Sequence, residues 1–324
     1  MAVRVGFIGC GGMNRGHMNT VKGLRGAEIV AVCDLQKDRA QAAAEEYGAR
    51  SYTDHAQMIE SEELNAVFIA VPPFAHEDQE LLAVRKGLHL FVEKPVAVTL
   101  EKAKQIERAI AKAGVIATAG FQDRYQDIVA RLKKDLQKNR PGLIMGYWVG
   151  GMPGVAWWRR KEQSGGQAVE QTIHTFDMAR YLFGEVKLVH AAWSKSLMAD
   201  VPRYNVEDAS CVNLQFKSGL CGTIFSGCFL KGYGKVGLDI WTPEVLYEYS
   251  GRSALNIRKA GAEAETLHVG NPFGQEIVST FLSAVRTGDG SKLKSTYADA
   301  VKSLAVVLAA NESMKTGEAV RLRA

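Results

Sequence analysis

Four side chains in the second half of the sequence are of types that can move protons or bind hydroxyl groups. Glu170, His174, Asp177 and Tyr181 fall in or near a segment with helical character, residues 167–183. On a continuous helix their spacing places them on one side. A carboxylate that holds one ring nitrogen of a histidine raises the basicity of the other. We predict that His174 accepts a proton and that Glu170 and Asp177 orient it or bind neighbouring hydroxyls.

Two other interpretations of this group remain open. An ordinary solvated helix face also carries Glu, His and Asp residues, although Val169 and Ile173 on one side and Met178 on the other favour a crevice. Metal binding is conceivable because zinc and manganese bind His and carboxylates. No second histidine stands at ligand spacing nearby, and we therefore predict no metal site.

A second chemical candidate is the run Glu93-Lys94-Pro95, which follows an apolar stretch typical of a buried strand. Ligands of open α/β sheets bind beyond the carboxyl ends of the strands. A lysine at that place can donate to a substrate oxygen and stabilise developing negative charge. A surface lysine at a strand-to-helix turn is the alternative.

The N-terminal segment has the pattern of a nucleotide-binding turn. The apolar run 3–8 stops at Gly9-Cys10-Gly11-Gly12-Met13-Asn14, where a helix is predicted to start. Backbone N–H groups and the helix dipole favour a bound phosphate at such a place. A second apolar run ends in Asp34, where dinucleotide folds carry the carboxylate that binds ribose hydroxyls. Asn14 fills the third glycine position, and an ordinary glycine-rich turn is the alternative.

The elements that must position these residues change character near residue 122. Before it, apolar strands at 3–8, 28–33, 66–71, 88–92 and 115–119 alternate with helices, which requires a parallel sheet covered on both faces. After it, runs with polar alternation predict half-buried antiparallel strands at 143–149, 188–194, 209–216, 220–226, 236–242 and 245–249. The predicted fold is an α/β Rossmann domain, residues 1–122, followed by an α+β domain, residues 123–324, with an open and mostly antiparallel sheet.

Composition limits the classes of protein. The chain has 324 residues, 47% hydrophobic and 23% charged, as expected of a globular protein with two domains. No apolar run is long enough to span a membrane and no signal-peptide pattern is present, so we predict a cytoplasmic protein without a membrane partner. The densest basic stretch, 131–140, has the spacing of a solvated helix face, and we predict no nucleic-acid partner. The five cysteines lack metal or redox-motif spacing.

The order of motifs along the chain completes a pattern. It consists of Gly9-Cys10-Gly11, Val71-Pro72-Pro73 with His76, Glu93-Lys94-Pro95, Gly165-Gly166, and His174 with Asp177. This order resembles the Gfo/Idh/MocA oxidoreductases, which include glucose–fructose oxidoreductase and inositol dehydrogenase. The resemblance implies a Rossmann domain with NAD or NADP, and an open sheet used for contacts in a homodimer or homotetramer. It also implies that Lys94 binds the reacting hydroxyl and that His174 transfers its proton.

The predicted site residues fall into three groups. The catalytic residues are Lys94, His174, Glu170 and Asp177, with Glu170 where many family members have aspartate and Thr172 where many have glycine. The cofactor-binding residues are Gly9, Gly11, Gly12, Met13, Asn14, Asp34, Val71, Pro72, His76, Glu93 and Lys94. The substrate-binding residues, which would supply an aromatic wall and cations for a hydroxylated or anionic molecule, are Trp158, Arg159, Arg124 and Tyr181.

The predicted reaction is reversible hydride transfer between a secondary alcohol of a sugar or polyol and the nicotinamide. Asp34 favours NAD because its carboxylate would accept from ribose hydroxyls and repel a 2′-phosphate, while Lys37 and Arg39 leave NADP possible. Two alternatives remain open. One is a regulatory protein that binds NAD(P) without turnover, and the other is an NAD-dependent glycosidase of the same fold.

Overall fold

The computed structural model describes residues 2–322. The strands are β1 (Val3–Ile8), β2 (Ala27–Cys33), β3 (Arg50–Tyr52), β4 (Ala66–Ile69), β5 (His89–Val92), β6 (Ala117–Ala119), β7 (Leu143–Val149), β8 (Val186–Ser194), β9 (Ala209–Phe216), β10 (Cys221–Gly227), β11 (Lys235–Trp241), β12 (Val245–Ser250), β13 (Ala254–Lys259), β14 (Glu265–His268) and β15 (Val320–Arg321). The α-helices are α1 (Gly12–Gly23), α2 (Lys37–Tyr47), α3 (His55–Ser61), α4 (Gln79–Arg85), α5 (Leu100–Ala113), α6 (Asp127–Leu136), α7 (Lys161–Ser164), α8 (Gln167–Glu170), α9 (Ile173–Phe183), α10 (Phe273–Thr287) and α11 (Tyr297–Thr316). Single 3₁₀ turns cover Pro73–Ala75, Gln122–Tyr125 and Ala156–Arg159.

The first compact unit is built on a parallel sheet with the strand order β3-β2-β1-β4-β5-β6. It comprises the described residues up to Gln122 together with Pro272–Val301. Its central strands are almost wholly buried, as helices on both faces require. The order reverses direction between β1 and β4, which is the switch point where doubly wound folds bind ligands. The predicted Rossmann architecture is confirmed.

Stacked aromatic rings fix the centre of this sheet. Phe68 lies between Phe7 and Phe91, with ring centroids 4.9 and 4.6 Å apart, and Phe281 of α10 meets Phe68 edge-on at 5.5 Å. All four rings are fully buried, and each contributes about 2 kcal/mol to stability through removal of apolar surface from water. The rings therefore pack β1, β4 and β5 against one another and against α10.

The second compact unit comprises Asp123–Asn271 and the described residues from Lys302 onward. Its sheet has the order β14-β13-β12-β11-β7-β10-β9-β8-β15, and its neighbouring strands are antiparallel except for the parallel pair of β7 and β10. The predicted, mostly antiparallel sheet is confirmed. The strands β13, β14 and β15 were not predicted. Strands β14 and β15 have only four and two residues, and β13 ends in the charged residues Arg258 and Lys259.

One face of this sheet is covered and the other is open, as strand β9 illustrates. Val212, Leu214 and Phe216 are buried, whereas the alternate residues Cys211, Asn213 and Gln215 are exposed. The two-residue period follows from the pleat, which directs successive side chains to opposite faces. Helix α9 contacts β7 and β11 on the covered face.

The single helix predicted over 167–183 is interrupted. Helix α8 ends at Glu170 and α9 begins at Ile173, and the N–H of Thr172 bonds to the carbonyl oxygen of Gln167 at 3.0 Å, one residue beyond α-helical spacing. The prediction of one continuous stripe was therefore wrong. His174, Asp177 and Tyr181 share α9, and Glu170 belongs to a separate turn.

The sequence-based division at 122 and 123 stays a prediction. The compact units differ from it in the segment Pro272–Val301, which groups with the first unit. There the hydroxyl of Thr118 donates to the carbonyl oxygen of Ser295 at 2.7 Å, and α10 contacts α1. Within residues 2–322, no helix has both the length and the apolar composition needed to cross a membrane.

Candidate functional site

The turn after β1 leads the chain into an open helix N-terminus. Gly9 has φ +86°, and a Cβ at this position would lie 2.3 Å from the carbonyl oxygen of Ala70, so only glycine fits. At Gly11 and Gly12 a Cβ would find no atom of the described residues within 4 Å beyond the adjoining chain. Gly11 caps α1 without a side-chain hydrogen bond, and Gly12 and Met13, the first residues of the helix, are exposed. These features suit a bound phosphate.

Asn14 closes this turn with its side chain. Its Nδ2 donates to the carbonyl oxygens of Ile8 and Gly9 at 2.9 and 2.6 Å, and the residue is 1% exposed. The amide thus joins the start of α1 to the end of β1, which explains how asparagine replaces the expected glycine. The neighbouring Met13 is exposed.

Asp34 is held beside the glycine turn at the end of β2. Its carboxylate accepts from the N–H groups of Cys10 and Gln36, both at 2.9 Å, and the guanidinium of Arg39 lies 3.6 Å away. Burial, followed by the charge of Asp34, raises the pKa of the Cys10 thiol to about 12, so Cys10 stays a neutral thiol. The carboxylate is therefore fixed where a nucleotide ribose would be recognised.

Glu93 and Lys94 stand at the carboxyl end of β5, as predicted. The Glu93 carboxylate pairs with Nε2 of His17 at 2.8 Å, and its other oxygen accepts from the N–H of Lys94 at 3.2 Å. A Cβ at Gly120 would lie 2.5 Å from Glu93 Oε2. Glu93 is thus locked in place, and the half-buried Lys94 follows it at the edge of the sheet.

The remaining predicted cofactor residues follow β4. Val71 and Pro72 are half-buried, while His76 is buried and pairs through Nδ1 with the fully buried carboxylate of Glu80. A buried histidine and a buried carboxylate stabilise each other because neither is then left unpaired. His76 is therefore fixed in orientation.

The second unit contains a cavity of about 260 Å³ beside α9. Its lining residues are Asp123, Trp148, His174, Thr175, Met178, Val236, Gly237, Leu238, Tyr249, Gly251 and Arg252. The imidazole of His174 stacks on the indole of Trp148, with centroids 5.6 Å apart and planes at 20°. Its Nδ1 lies 3.7 Å from Oδ2 of Asp123. The predicted proton acceptor thus lines a cavity with an aromatic wall.

Two further groups complete the polar side of this cavity. Arg252 donates through Nε to Oδ1 of Asp123 at 2.7 Å. The hydroxyl of Tyr249 donates to Oε1 of Gln126 at 3.2 Å. Burial, and then the charge of Asp123, raise the pKa of Tyr249, so this phenol remains a neutral hydrogen-bond donor.

Asp177 and Arg124 form a buried ion pair. Arg124 donates to both carboxylate oxygens, through Nε at 2.8 Å and Nη2 at 2.5 Å, and the hydroxyl of Ser303 donates at 2.6 Å. Arg124 also lies over the ring of Tyr181 at 4.8 Å, and Nζ of Lys133 lies over the same ring at 3.7 Å. These contacts correct the prediction that Arg124 binds substrate, because its side chain is 3% exposed and its guanidinium holds Asp177. The predicted role of Tyr181 meets the same difficulty, since two cations occupy its ring.

Trp158 is a core residue. It is 0% exposed, packs with Val206 and Cys228, and donates through Nε1 to Oε2 of Glu170 at 2.9 Å. The prediction that Trp158 forms a wall of the substrate site is therefore wrong, because no part of its ring reaches the surface. Glu170 is bound to this indole and is not among the cavity residues. Arg159 follows Trp158 in the same 3₁₀ turn and is half-buried.

Sequence reasoning missed the residues that surround His174. Asp123, Trp148, Tyr249 and Arg252 carry no local motif and come from different strands and turns. The one available signal was Trp148, an aromatic residue on the covered side of a strand that the alternation already predicted.

Models of known protein families match segments of both units. Residues 3–121 fit the model of the oxidoreductase family with an NAD-binding Rossmann fold, and residues 143–241 fit the GFO/IDH/MocA C-terminal domain. The chain is 30% identical over 230 residues to scyllo-inositol 2-dehydrogenase (NAD(+)) of Bacillus subtilis (strain 168), covering 68% of this chain and 66% of that protein. It thus spans slightly less than two thirds of that relative's length.

Two other similarities extend over the whole chain. It is 26% identical to 1,5-anhydro-D-fructose reductase of Ensifer adhaerens, with 98% of each chain covered. Levoglucosan dehydrogenase in complex with NADH has a TM-score of 0.89 at 21% identity, covering 100% of both chains, which shows a shared fold. With the two family models matched in their expected order, the chain belongs to the Gfo/Idh/MocA family of oxidoreductases.

Proposed function

We propose that this protein is an NAD-dependent oxidoreductase that transfers a hydride between a secondary alcohol of a sugar or polyol and nicotinamide. One observation carries the proposal. His174, the predicted proton acceptor, lines a cavity together with the indole of Trp148 and the charged pair of Asp123 and Arg252. Aromatic faces pack against the C–H groups of sugar rings, and carboxylates and guanidinium groups bind hydroxyls.

The size of this cavity supports a small substrate. Its volume of about 260 Å³ is below the range of roughly 300–1,000 Å³ usual for sites that take drug-sized ligands. A single sugar ring or cyclic polyol fits such a space better than an oligosaccharide. The names of the relatives, an inositol dehydrogenase and an anhydrofructose reductase, support the same class.

The cofactor residues of this chain fit a dinucleotide. The open N-terminus of α1 at Gly11 and Gly12 would hold the pyrophosphate, and Asp34 would accept from the adenosine ribose hydroxyls. When NAD is bound, its nicotinamide supplies the acceptor and donor of hydride.

The roles of the catalytic residues follow from their chemistry. His174 takes the proton of the substrate hydroxyl, and the ammonium of Lys94 stabilises negative charge on that oxygen. Asp177 does not take part directly in this proposal, because Arg124 and Ser303 occupy its carboxylate. Glu170 does not take part directly in this proposal, because its carboxylate accepts from the indole of Trp158.

Asp34 and Arg39 together determine the choice between NAD and NADP. The Asp34 carboxylate would repel a 2′-phosphate, and the nearby Arg39 would attract one once that carboxylate were removed. We expect Asp34→Ser to move the ratio of NAD to NADP affinity toward NADP by about tenfold, the worth of one charged hydrogen bond. Titration of both cofactors by fluorescence checks this, with Asp38→Ser as the matched control on the exposed start of α2.

The reaction is tested by incubating purified protein and NAD with a panel of cyclic polyols, aldoses and sugar acids while NADH absorbance is followed. Turnover of one class supports the proposal. NAD binding without turnover of any compound would identify a regulatory protein. Cleavage of a glycoside without net NADH would identify a glycosidase.

We also propose that copies of the chain join through the open face of the second sheet into a homodimer or homotetramer. Leu143 is 47% exposed on this face, and Trp241 and Cys221 lie beside it in register. An exposed apolar patch on a sheet is typical of an interface. Light scattering after size exclusion gives the subunit number, and Leu143→Glu should lower it.

We further propose a cytoplasmic location. The five cysteines, all within the described range, are free thiols, which is the state that a reducing compartment maintains. Fractionation of cells that express a tagged chain tests this directly.

A further inference from the structure

The two carboxylates expected to serve His174 are engaged elsewhere. Glu170 accepts from the indole of Trp158 at 2.9 Å, and Asp177 accepts from Arg124 and Ser303. The carboxylate that lines the cavity with His174 belongs to Asp123, whose Oδ2 lies 3.7 Å from Nδ1 of the imidazole. This separation is slightly longer than a hydrogen bond, as catalytic pairs often are before substrate binds.

Asp123 is itself fixed in the fold. It is buried, and its Oδ1 accepts from Nε of Arg252 at 2.7 Å and from Nε2 of Gln126 at 3.4 Å. Nη2 of Arg252 reaches Oδ2 at 3.4 Å. The indole of Trp148 stacks on a face of the imidazole, with the two planes at 20°. The imidazole thus has an aromatic ring against its face and an oriented carboxylate near Nδ1.

We infer that Asp123 is the positioning carboxylate of His174, and that Arg252 sets how strongly the imidazole experiences its charge. An anion at Nδ1 fixes the tautomer in which Nε2 accepts a proton, and it stabilises the imidazolium that results. The cation of Arg252 on the same carboxylate opposes this effect. The catalytic part of the inference rests on the proposed function, while the electrostatic part concerns the protein alone.

The charged groups on α9 that neighbour His174 have ion-pair partners of their own, and the remaining cavity residues carry no charge beyond Asp123 and Arg252. On α9 itself, Asp177 is neutralised by Arg124, and Arg180 pairs with Glu185. Tyr249 of β12 lines the cavity and is a neutral phenol. From β7 and β11 the cavity receives Trp148, Val236, Gly237 and Leu238, which do not titrate.

The decisive experiment is an NMR titration of His174 in the protein without substrate, with the resonance assigned by its loss in His174→Gln. Asp123→Asn should lower the pKa of the imidazole, because the stabilising anion is removed. Arg252→Met should raise it, because the opposing cation is removed. Asp123→Glu should restore most of the native value. Asp135→Asn, which breaks the exposed pair with Arg131, is the control and should change nothing.

The opposite signs of the two expected pKa shifts distinguish a positioning role from a structural one. General loosening of the cavity would shift the pKa of His174 in the same direction in both variants. If Asp123→Asn and Arg252→Met shift the pKa in one direction, or no more than the control, the inference is wrong. Should Asp123→Asn fail to fold, Arg252→Met and Asp123→Glu still decide the matter.

Kinetics then tests the catalytic part. With an active substrate, Asp123→Asn should lower kcat about tenfold or more, and the acidic limb of the pH profile should move in the direction that NMR shows. An absence of any substrate would count against the proposed function and leave the NMR result standing. Normal kcat with an unmoved pKa would overturn the inference and leave the dehydrogenase intact.

Discussion

The glycine turn of the first unit and the cavity of the second unit are constructed in opposite ways. The turn is made largely of backbone from one short stretch, Gly9 to Asn14, with Asp34 at the end of the next strand. The cavity is made of side chains, and its polar members Asp123, His174 and Arg252 lie far apart in the sequence. A backbone site can be recognised from local spacing, whereas a side-chain site depends on which strands become neighbours. The same difference predicts that mutations will separate the two regions cleanly.

The largest effect should come from the cavity. His174→Gln removes the proton acceptor and keeps a similar side-chain volume, so kcat/KM should fall about 10²- to 10⁴-fold. The affinity for NAD, measured by fluorescence or calorimetry, should stay within about twofold, because the glycine turn is untouched. Thr20→Ala, a small change at a half-buried position of α1, serves as the control for handling and folding. A variant with near-native turnover would remove His174 from the mechanism.

The second largest effect is expected from a mutation in the glycine turn of the first unit. Gly9→Ala places a methyl group against the carbonyl oxygen of Ala70 at a backbone φ of +86°, and such a position costs about 1–3 kcal/mol. We expect a lower melting temperature together with weaker NAD binding. The matched variant Gly11→Ala, at φ −73° and with open space around it, should keep the native melting temperature. Equal destabilisation by both would show that the turn has a different shape.

The same contrast explains which features of the fold and of the site could be predicted from the sequence. The parallel sheet, the glycine turn, Asp34 and the place of Lys94 were predicted because strand-to-helix turns are encoded by neighbours in the chain. The surroundings of His174 were not, because Asp123 and Arg252 meet only after β7, β11 and β12 have paired. The prediction that Glu170 and His174 share one helix face was wrong for a local reason. The wide turn at Thr172 places Glu170 away from the face that carries His174. Trp158 and Arg124 were misassigned because burial cannot be read from residue type.

A third prediction tests the assignment of Trp158 to the protein core. Trp158→Phe leaves the carboxylate of Glu170 without its indole donor and shrinks a fully buried side chain, which should lower the free energy of unfolding by about 1–3 kcal/mol. KM for the substrate should change less than twofold, within about 0.5 kcal/mol, because the ring does not reach the cavity. Chemical denaturation and steady-state kinetics provide the two readings, and the half-buried Trp157→Phe is the control. A large rise in KM without loss of stability would return Trp158 to the substrate site.

The smallest predicted effect is a pH dependence confined to the first unit. Burial lowers the pKa of His89 from its ordinary value of 6.5, and its Nδ1 accepts from the N–H of Ile116 at 2.9 Å, which requires the neutral ring. Because the unfolded chain binds this proton more readily, stability should be complete above pH 6.5 and should decline as the pH falls below that value. The decline ends once the pH passes the lowered pKa.

His89→Gln keeps an acceptor for the N–H of Ile116 and removes the titration of the ring. The fall in the denaturation midpoint between neutral and mildly acidic pH should therefore be smaller in this variant than in the native protein. All other groups titrate equally in both proteins, and an identical fall would show that His89 contributes nothing to the acid sensitivity of the sheet.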